Sequence, residues 1–489
     1  MKHEFWAHFD LYDALNKDEF ENKNILDGMV NKISNELPKD WELLDNFSRL
    51  QILAATLASN KTVKWIDKGK ERQISVKDYA RTGALQYKEK SGLLYWYDEG
   101  NYQEFLKEHL RWMGDILNLI NNHDTVSPSL PDISLFPPGS WAIQIHFTLR
   151  KPYLSKDDVD FYIVDNPVKK EWVFKVPYVA PSQWKGALRA AMTRQLAEES
   201  KALEDWIERR LQLTRFFGNE KGVDLDDERF ETYLDRQKPE AAKQYRQRLK
   251  EEYTQTGFLA GRLHFYPTFF DHIGLEVINP HPRDTGAGKQ PIYFECVPAG
   301  TPGVFTLLYV PLDAGPKDTD TIKTDLHAVA RGVRAMLTQY GFGAKTSSGY
   351  GVAKDDVVQG IMLLNFAEIP ESLKAKSQTQ PEYEPPEEVF LKYMDESGEV
   401  KPEFKGSGEG GLMSNSEYKQ RGEALGGGSL KEFKRFRSWY VKHGTNWKAS
   451  RETSPENSDT SAKQQITFQT LSEFEKIVEI LISDGGKHA

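Results

Sequence analysis

A chain of 489 residues with 39% hydrophobic and 28% charged side chains has the balance of a soluble globular protein of two or more domains. It lacks an apolar run of the roughly 18 residues a membrane span needs, and its one cysteine, Cys296, excludes an intrachain disulfide and argues against a thiolate metal site. The net charge of −9 argues against a general nucleic-acid binder, but residues 141–360 hold about 30 basic and about 30 acidic side chains, so the acidic excess sits in the flanks and any RNA site must be a local basic groove.

Residues 1–125 read as a mostly helical accessory region, with apolar residues three and four apart in Ile25–Leu37, Leu50–Leu57 and Phe105–Ile120. The start, MKHEFWAHFD, has no apolar signal core, so a cytoplasmic protein is expected. Lys61, Lys64, Lys68, Lys70 and Arg72 form a basic cluster that reads as a solvated loop. Residues 126–140, rich in proline, read as a linker. Trp141, Ile143, Ile145, Phe147 and Leu149 then alternate with Gln144, His146 and Thr148, which predicts a half-buried strand with His146 on its polar side. An acidic loop with Asp157, Asp158, Asp160 and Asp165 follows.

The apolar run Trp172–Val179 leads into a helix. Ser182 can cap that helix through its hydroxyl. Trp184, Ala187, Leu188, Ala191 and Met192 would face a core, with Lys185 and Arg189 beside them, one turn apart. Free amides and cations at a helix start suit a phosphate, although an ordinary strand–loop–helix carries the same residues. The helical region ends at Phe216-Phe217-Gly218, where Gly218 suits a C-cap. Residues 220–256 read as a charged surface insertion, 261–271 as a strand, 276–300 as a long hairpin with Arg283 and Lys289 near its tip, and 304–310 as a further strand. A helix over 325–340 with Arg331 and Arg334 runs into a glycine-rich loop at 341–351, and a strand can follow from Val352. Composition predicts a flexible linker over 367–429 and a helical, partly disordered extension over 430–489.

The loop 341–351 reads G-x-G-x-x-x-x-x-G-x-G. Gly341, Gly343, Gly349 and Gly351 can let the backbone approach a phosphate, and Lys345, Thr346, Ser347 and Ser348 add a cation and hydroxyls. The glycines follow a helix, which excludes a dinucleotide-binding turn, and no Gly-Lys-Ser/Thr closes the motif, which excludes a P-loop. A purely structural glycine turn remains the alternative. For Asp165 the alternatives are a turn residue and a reactive carboxylate. Asp157, Asp158 and Asp160 are either a metal-binding or a solvated acidic loop. His264, His272 and His281 have no carboxylate-rich helix beside them and read as core or surface histidines.

These pieces together resemble one family. Val164-Asp-Asn-Pro-Val168 followed by Pro177-Tyr-Val-Ala-Pro-Ser-Gln-Trp-Lys-Gly-Ala-Leu-Arg189 is similar to the Asp-x-Pro-Val and Gly-Ser-Ser-Leu-Lys-Gly-x-Leu-Arg signature of the RAMP superfamily of CRISPR-associated proteins. Phe216-Phe-Gly-Asn219, Gly261-Arg-Leu-His-Phe265 and Gly341–Gly351 follow in the family's order over residues 141–360. The family's Pro-Gly-Ser-Ser is Ala180-Pro181-Ser182-Gln183 here, and residues 220–256 look longer than usual. The resemblance implies an α+β chain whose 141–366 region is an elaborated ferredoxin-like (RRM-like) domain. It also implies a backbone subunit of a type III CRISPR effector complex, with guide RNA, complementary target RNA and other effector subunits as partners. Asp165 then matches a catalytic position, with a divalent metal such as Mg2+ as cofactor for target-RNA cleavage. Ser182, Lys185, Arg189, Arg283 and the loop 341–351 would hold RNA, and the hairpin 276–300 would act as a wedge. The hairpin is also similar to a subunit that caps such backbones, which would bind RNA without cutting it.

Overall fold

In a computed structural model of the chain, the residues described are 62–67, 70–75, 101–122, 125–157, 164, 166–199, 202–219, 232–252, 259–279, 292–312, 318–366, 369–370, 373, 386–395, 398–406, 411–422, 424–452 and 464–483. Asp158, Asp160, Asp165, His281, Arg283 and Lys289 lie outside them. The chain divides into two compact units, residues 1–370 with 464–489, and residues 371–463.

In chain order the main elements are α1 (Asn101–Leu117), β1 (Trp141–Thr148), the short β2 (Tyr178–Val179), α2 (Pro181–Glu198), α3 (Leu203–Phe217), α4 (Tyr233–Gln237) and α5 (Pro239–Glu252). Next come β3 (Leu263–Phe265), β4 (Thr268–Phe269), β5 (Gly274–Ile278), β6 (Ile292–Cys296), β7 (Pro302–Tyr309), α6 (Thr319–Ala335) and β8 (Asp356–Leu364). Helix α7 (Leu430–Glu452) belongs to the second unit, and β9 (Gln464–Thr470) and α8 (Leu471–Ser483) return to the first. Upstream, Thr62–Asp67 pairs antiparallel with Lys70–Ser75, so Lys64, Lys70 and Arg72 stand on a two-stranded ladder where a loop was expected.

The first unit is built on a five-stranded antiparallel sheet in the order β9-β8-β1-β7-β3. Strand β1 lies in the middle, with Tyr309 and Leu364 opposite Trp141 on its two neighbours. Its large apolar residues turn toward the helices: Phe147 meets Trp184 of α2, and Trp141 stacks on Tyr309 at 4.8 Å. Trp184, Leu188, Ala191 and Met192 are buried, as their helical spacing predicts. Gly218 caps α3 with φ +80°. Asp325, fully buried on α6, accepts from Arg215 Nε at 2.9 Å, Gln212 Nε2 at 2.9 Å and Tyr309 OH at 2.7 Å, and so joins α3, α6 and β7.

The other face of β1 is also covered, contrary to the half-buried reading. The proline-rich segment lies against it instead of acting as a linker: Ile133 packs on Ala142, Leu308 and Leu363, with Leu130 and Phe136 alongside. Gln144 is buried because its amide donates to Pro128 O at 3.2 Å and Thr306 Oγ1 at 3.1 Å. Asn365 donates to the carbonyls of Phe136 at 2.9 Å and Pro137 at 3.3 Å, which fastens the segment to the end of β8. Alternation cannot separate a polar residue facing water from one facing a partner.

The described part of the charged insertion, residues 232–252, is folded against α3. Arg246 of α5 and Arg210 of α3 both donate to Asp235 of α4, and all three side chains are buried. Burial works against the Asp235 charge, but these bonds outweigh it and hold the carboxyl far below the ordinary carboxylate range.

The stretch expected as a linker and helical extension divides differently. In the second unit, Phe433, Phe436 and Trp439 of α7 pack with Phe390, Tyr393, Phe404 and Tyr418. Tyr418 stacks on Phe433 at 3.9 Å, and Tyr393 on Phe436 at 4.7 Å. The glycines serve close packing here: a Cβ at Gly427 would meet Tyr418 OH at 2.1 Å. Residues 464–483, in contrast, supply the edge strand β9 and a helix packed on α6.

Candidate nucleic-acid interface

The glycine loop starts where α6 runs through a π-turn, Met336–Tyr340, into Gly341 at φ +76°. Phe342 then drops into the core, 4.5 Å from Trp184 and 5.5 Å from Tyr153 between ring centroids. The loop base is tied to the strand end beside it. Phe342 N donates to Gly351 O at 2.8 Å, Ala344 N to Leu154 O at 2.7 Å, and Gly351 N to Pro152 O at 2.8 Å. A Cβ at Gly343 would lie 2.3 Å from Leu154 O, and one at Gly351 would lie 1.9 Å from Phe342 O. Much of the glycine spacing therefore serves the loop's own closure.

The tip differs from the base. Gly349 has φ +83° and nothing within 4 Å of a Cβ. Lys345, Ser347 and Ser348 are exposed. Thr346–Ser348 form a single 3-10 turn, whose first amides have no partner within the turn and can face a ligand. Lys345 Nζ stands 5.0 Å above the Phe294 ring of β6, and Tyr350 OH donates to Glu276 Oε1 of β5 at 3.1 Å, so the loop leans on the β5–β6 hairpin.

Helix α2 begins two residues earlier than the Ser182 cap expectation. Ala180 is the N-cap, Pro181 occupies the first turn, and Ser182 is exposed inside the helix. Gln183 Oε1 accepts from Ala180 N at 2.9 Å, which satisfies the N-cap amide, while alanine offers no hydroxyl to the first-turn amides. Pro181 at the helix start needs no amide partner.

A cavity of about 340 Å³ opens between α2 and the loop. Its α2 wall is Gln183, Gly186, Ala187, Ala190 and Arg194, and Lys156, Tyr340 and Thr346 stand around it. The helix wall is small in the middle, with nothing within 4 Å of a Cβ on Gly186. Cations stand at its rim. Arg194 lies 5.5 Å over the Tyr340 ring, and Tyr340 OH donates to Glu198 Oε2 at 3.0 Å, which holds the aromatic support of that guanidinium in place. Arg194, Lys156 and Gln183 were not singled out from the sequence, although Gln183, Ala187, Ala190 and Arg194 recur at helical spacing and form a second stripe.

Lys185 and Arg189 are not part of this wall. Successive residues turn by about 100° around a helix, which puts this pair roughly 150° away from the Gln183–Arg194 stripe. Lys185 is partly buried; burial first, and Arg189 next, lower its pKa. Burial and then Lys185 lower the pKa of His264 on β3 in turn. Arg189 lines a separate cavity of about 220 Å³ with Thr193, Thr214 and Thr232. Arg331 and Arg334 are committed to Glu199, Glu475 and Asp355.

The residues after Asp165 are pinned along β6. Asn166 Nδ2 donates to Tyr293 O at 3.2 Å, Val168 N donates to Glu295 Oε2 at 3.1 Å, and Lys170 forms a buried ion pair with Glu295. Asp157 accepts from Lys170 N at 3.2 Å and lies 3.9 Å from Lys169, which makes it a turn partner of this segment. Burial, then Glu276 and Glu295, push the Cys296 thiol up to about 12, so it is inert. His146 is buried and its pKa lowered, and His272 bonds Asp271 at 2.6 Å, so both read as structural. No helix among the described residues is long and apolar enough to cross a membrane.

No family model and no curated protein matches the chain. Among solved structures it is similar to a chain of a type III-B Cmr-beta complex bound to cognate target RNA, at 13% identity and a TM-score of 0.35, covering 69% of this chain and 99% of that one. A chain of a CRISPR RNA-guided surveillance complex shows 15% identity and a TM-score of 0.28, covering 51% and 78%. Cmr6 from Pyrococcus furiosus shows 18% identity and a TM-score of 0.24, covering 44% and 99%. All three likenesses are weak.

Proposed function

We propose that this chain is a RAMP-superfamily subunit of a type III CRISPR effector complex and holds the guide RNA between helix α2 and the loop 341–351. The observation that carries the reading is the cavity itself: small side chains from α2 on one wall, the loop residues Gly343, Ala344 and Thr346 on the other, and Lys156 and Arg194 at its rim. Small residues let a sugar–phosphate chain approach the helix, and cations at the rim suit its charge. The order β8-β1-β7-β3, with helices after the first and third of these strands along the chain, supports the ferredoxin-like fold. RNA does not stack on the sheet in this reading, because residues 128–139 cover that face, so contacts run through the helix and the loop.

Asp165, from its match to the family's Asp-x-Pro position, is the residue proposed for target-RNA cleavage in the assembled complex. A divalent metal such as Mg2+ held there would stabilise charge on the scissile phosphate. Guide RNA and complementary target RNA are the proposed partners, together with other effector subunits.

The experiment is to assemble the complex with wild type, Arg194→Ala/Lys345→Ala and Asp165→Ala chains. Retention of nuclease-protected guide RNA falling only in the double variant supports the binding site, and unchanged retention overturns it. Loss of one target cut in Asp165→Ala supports cleavage; survival of every cut leaves a capping subunit that binds RNA without cutting.

A further inference from the structure

We infer that His327, Glu475 and Glu479 form a divalent-cation site that staples helix α8 to helix α6. The three side chains offer one donor atom each, all within 4.8 Å of one another. Glu475 and Glu479 are one turn apart on α8 and share a face, and His327 comes from α6. The site takes the chemical class of Zn2+ or Co2+, because one imidazole with two carboxylates suits a borderline cation and leaves a fourth position for water.

A second observation points to a ligand. Among the described residues, His327 Nε2 is buried and has no hydrogen-bond partner, and Glu479 Oε1 lies 4.0 Å away, beyond a hydrogen bond. Metal–ligand distances of about 2.0–2.2 Å place tetrahedral donors roughly 3.4 Å apart, so adjustments of about an ångström per side chain close the set.

The surrounding charges permit a cation. Arg334 donates to Glu475 Oε2 at 2.8 Å, while Glu475 Oε1 lies 3.8 Å from Arg331 Nε. Arg331 is itself turned to Glu199 at 3.2 Å, and Arg334 also approaches Asp355 at 3.5 Å. With Arg209 included among the groups acting on His327, three guanidiniums stand against the carboxylates of Glu199, Asp355, Glu475 and Glu479. A cation here joins the helix that ends the first unit to the helix that precedes the glycine loop, so it secures the return of the chain after the second unit.

The test uses the full chain with any histidine tag removed, stripped with a chelator and desalted. ZnCl2 is titrated by calorimetry, and CoCl2 is followed by its visible absorption. The inference expects one cation per chain, a rise in Tm with Zn2+, and affinity about tenfold or more weaker in both His327→Ala and Glu479→Gln. Glu479 is about half exposed, so Glu479→Gln keeps the fold and reports even where His327→Ala does not. Absence of stoichiometric binding to the wild type, or equal binding by Glu479→Gln, overturns the site.

Discussion

Phe342 stands 4.5 Å from Trp184, ring centroid to ring centroid, and this contact sets the glycine loop against helix α2. Trp184 is held in turn by its indole N–H, which donates to Thr268 Oγ1 at 3.0 Å. The candidate RNA cavity therefore depends on an aromatic anchor buried in the core. Phe342→Ala is expected to cost about 3–5 kcal/mol of stability through the cavity it leaves. Guide-RNA retention should fall with it, because the loop loses its seat. Denaturant unfolding of the chain and RNA retention in the complex measure the two effects.

The loop glycines divide into two kinds. Gly351→Ala must displace the carbonyl of Phe342, since its Cβ would sit 1.9 Å from that oxygen, and it also adopts φ +67°. Gly349→Ala meets nothing and carries only the cost of its φ of +83°. The expected destabilisation is about 1–2 kcal/mol for Gly349→Ala and clearly more for Gly351→Ala. Equal losses in thermal unfolding would show that loop closure does not explain the spacing.

Arg194 and Lys185 occupy different sides of one helix, and RNA binding should tell them apart. Arg194→Ala with Lys345→Ala is expected to weaken guide-RNA binding and to lower the salt slope by about one for each phosphate contact removed. Lys185→Ala alone should leave that slope unchanged. Binding measured across a salt series in the assembled complex reads both.

Asp235 provides a pH test of the insertion. Its folded-state pKa is depressed, with hydrogen bonds from Arg246 and Arg210 outweighing the cost of burial. A depressed carboxylate contributes stability that is fully present above its ordinary pKa of about 4 and is lost as pH falls through the folded-state value. Asp235→Asn should therefore lose about 3–5 kcal/mol at neutral pH, by leaving two buried guanidiniums without their counter-charge. It should also lose less further stability than wild type as pH falls below about 4. Denaturant unfolding at stepped pH measures this.

Local pattern determined a good part of this protein. The alternation of Trp141, Ile143, Ile145 and Phe147 defined the central strand, and the spacing of Trp184, Leu188, Ala191 and Met192 defined the buried face of α2, because both are periodicities of a single element. The positive φ at Gly218 was also legible, as a helix end favours glycine there. Only the tertiary structure decided which remaining face of α2 meets the glycine loop. That depends on where Phe342 docks, and it selected Gln183, Ala187 and Arg194 over Lys185 and Arg189. It likewise turned a proline-rich linker into a cover for the sheet and a glycine-rich linker into part of an aromatic core. Composition records that prolines and glycines are present, but whether they confer freedom or close contact depends on the partner packed against them, as Tyr418 is against Gly427.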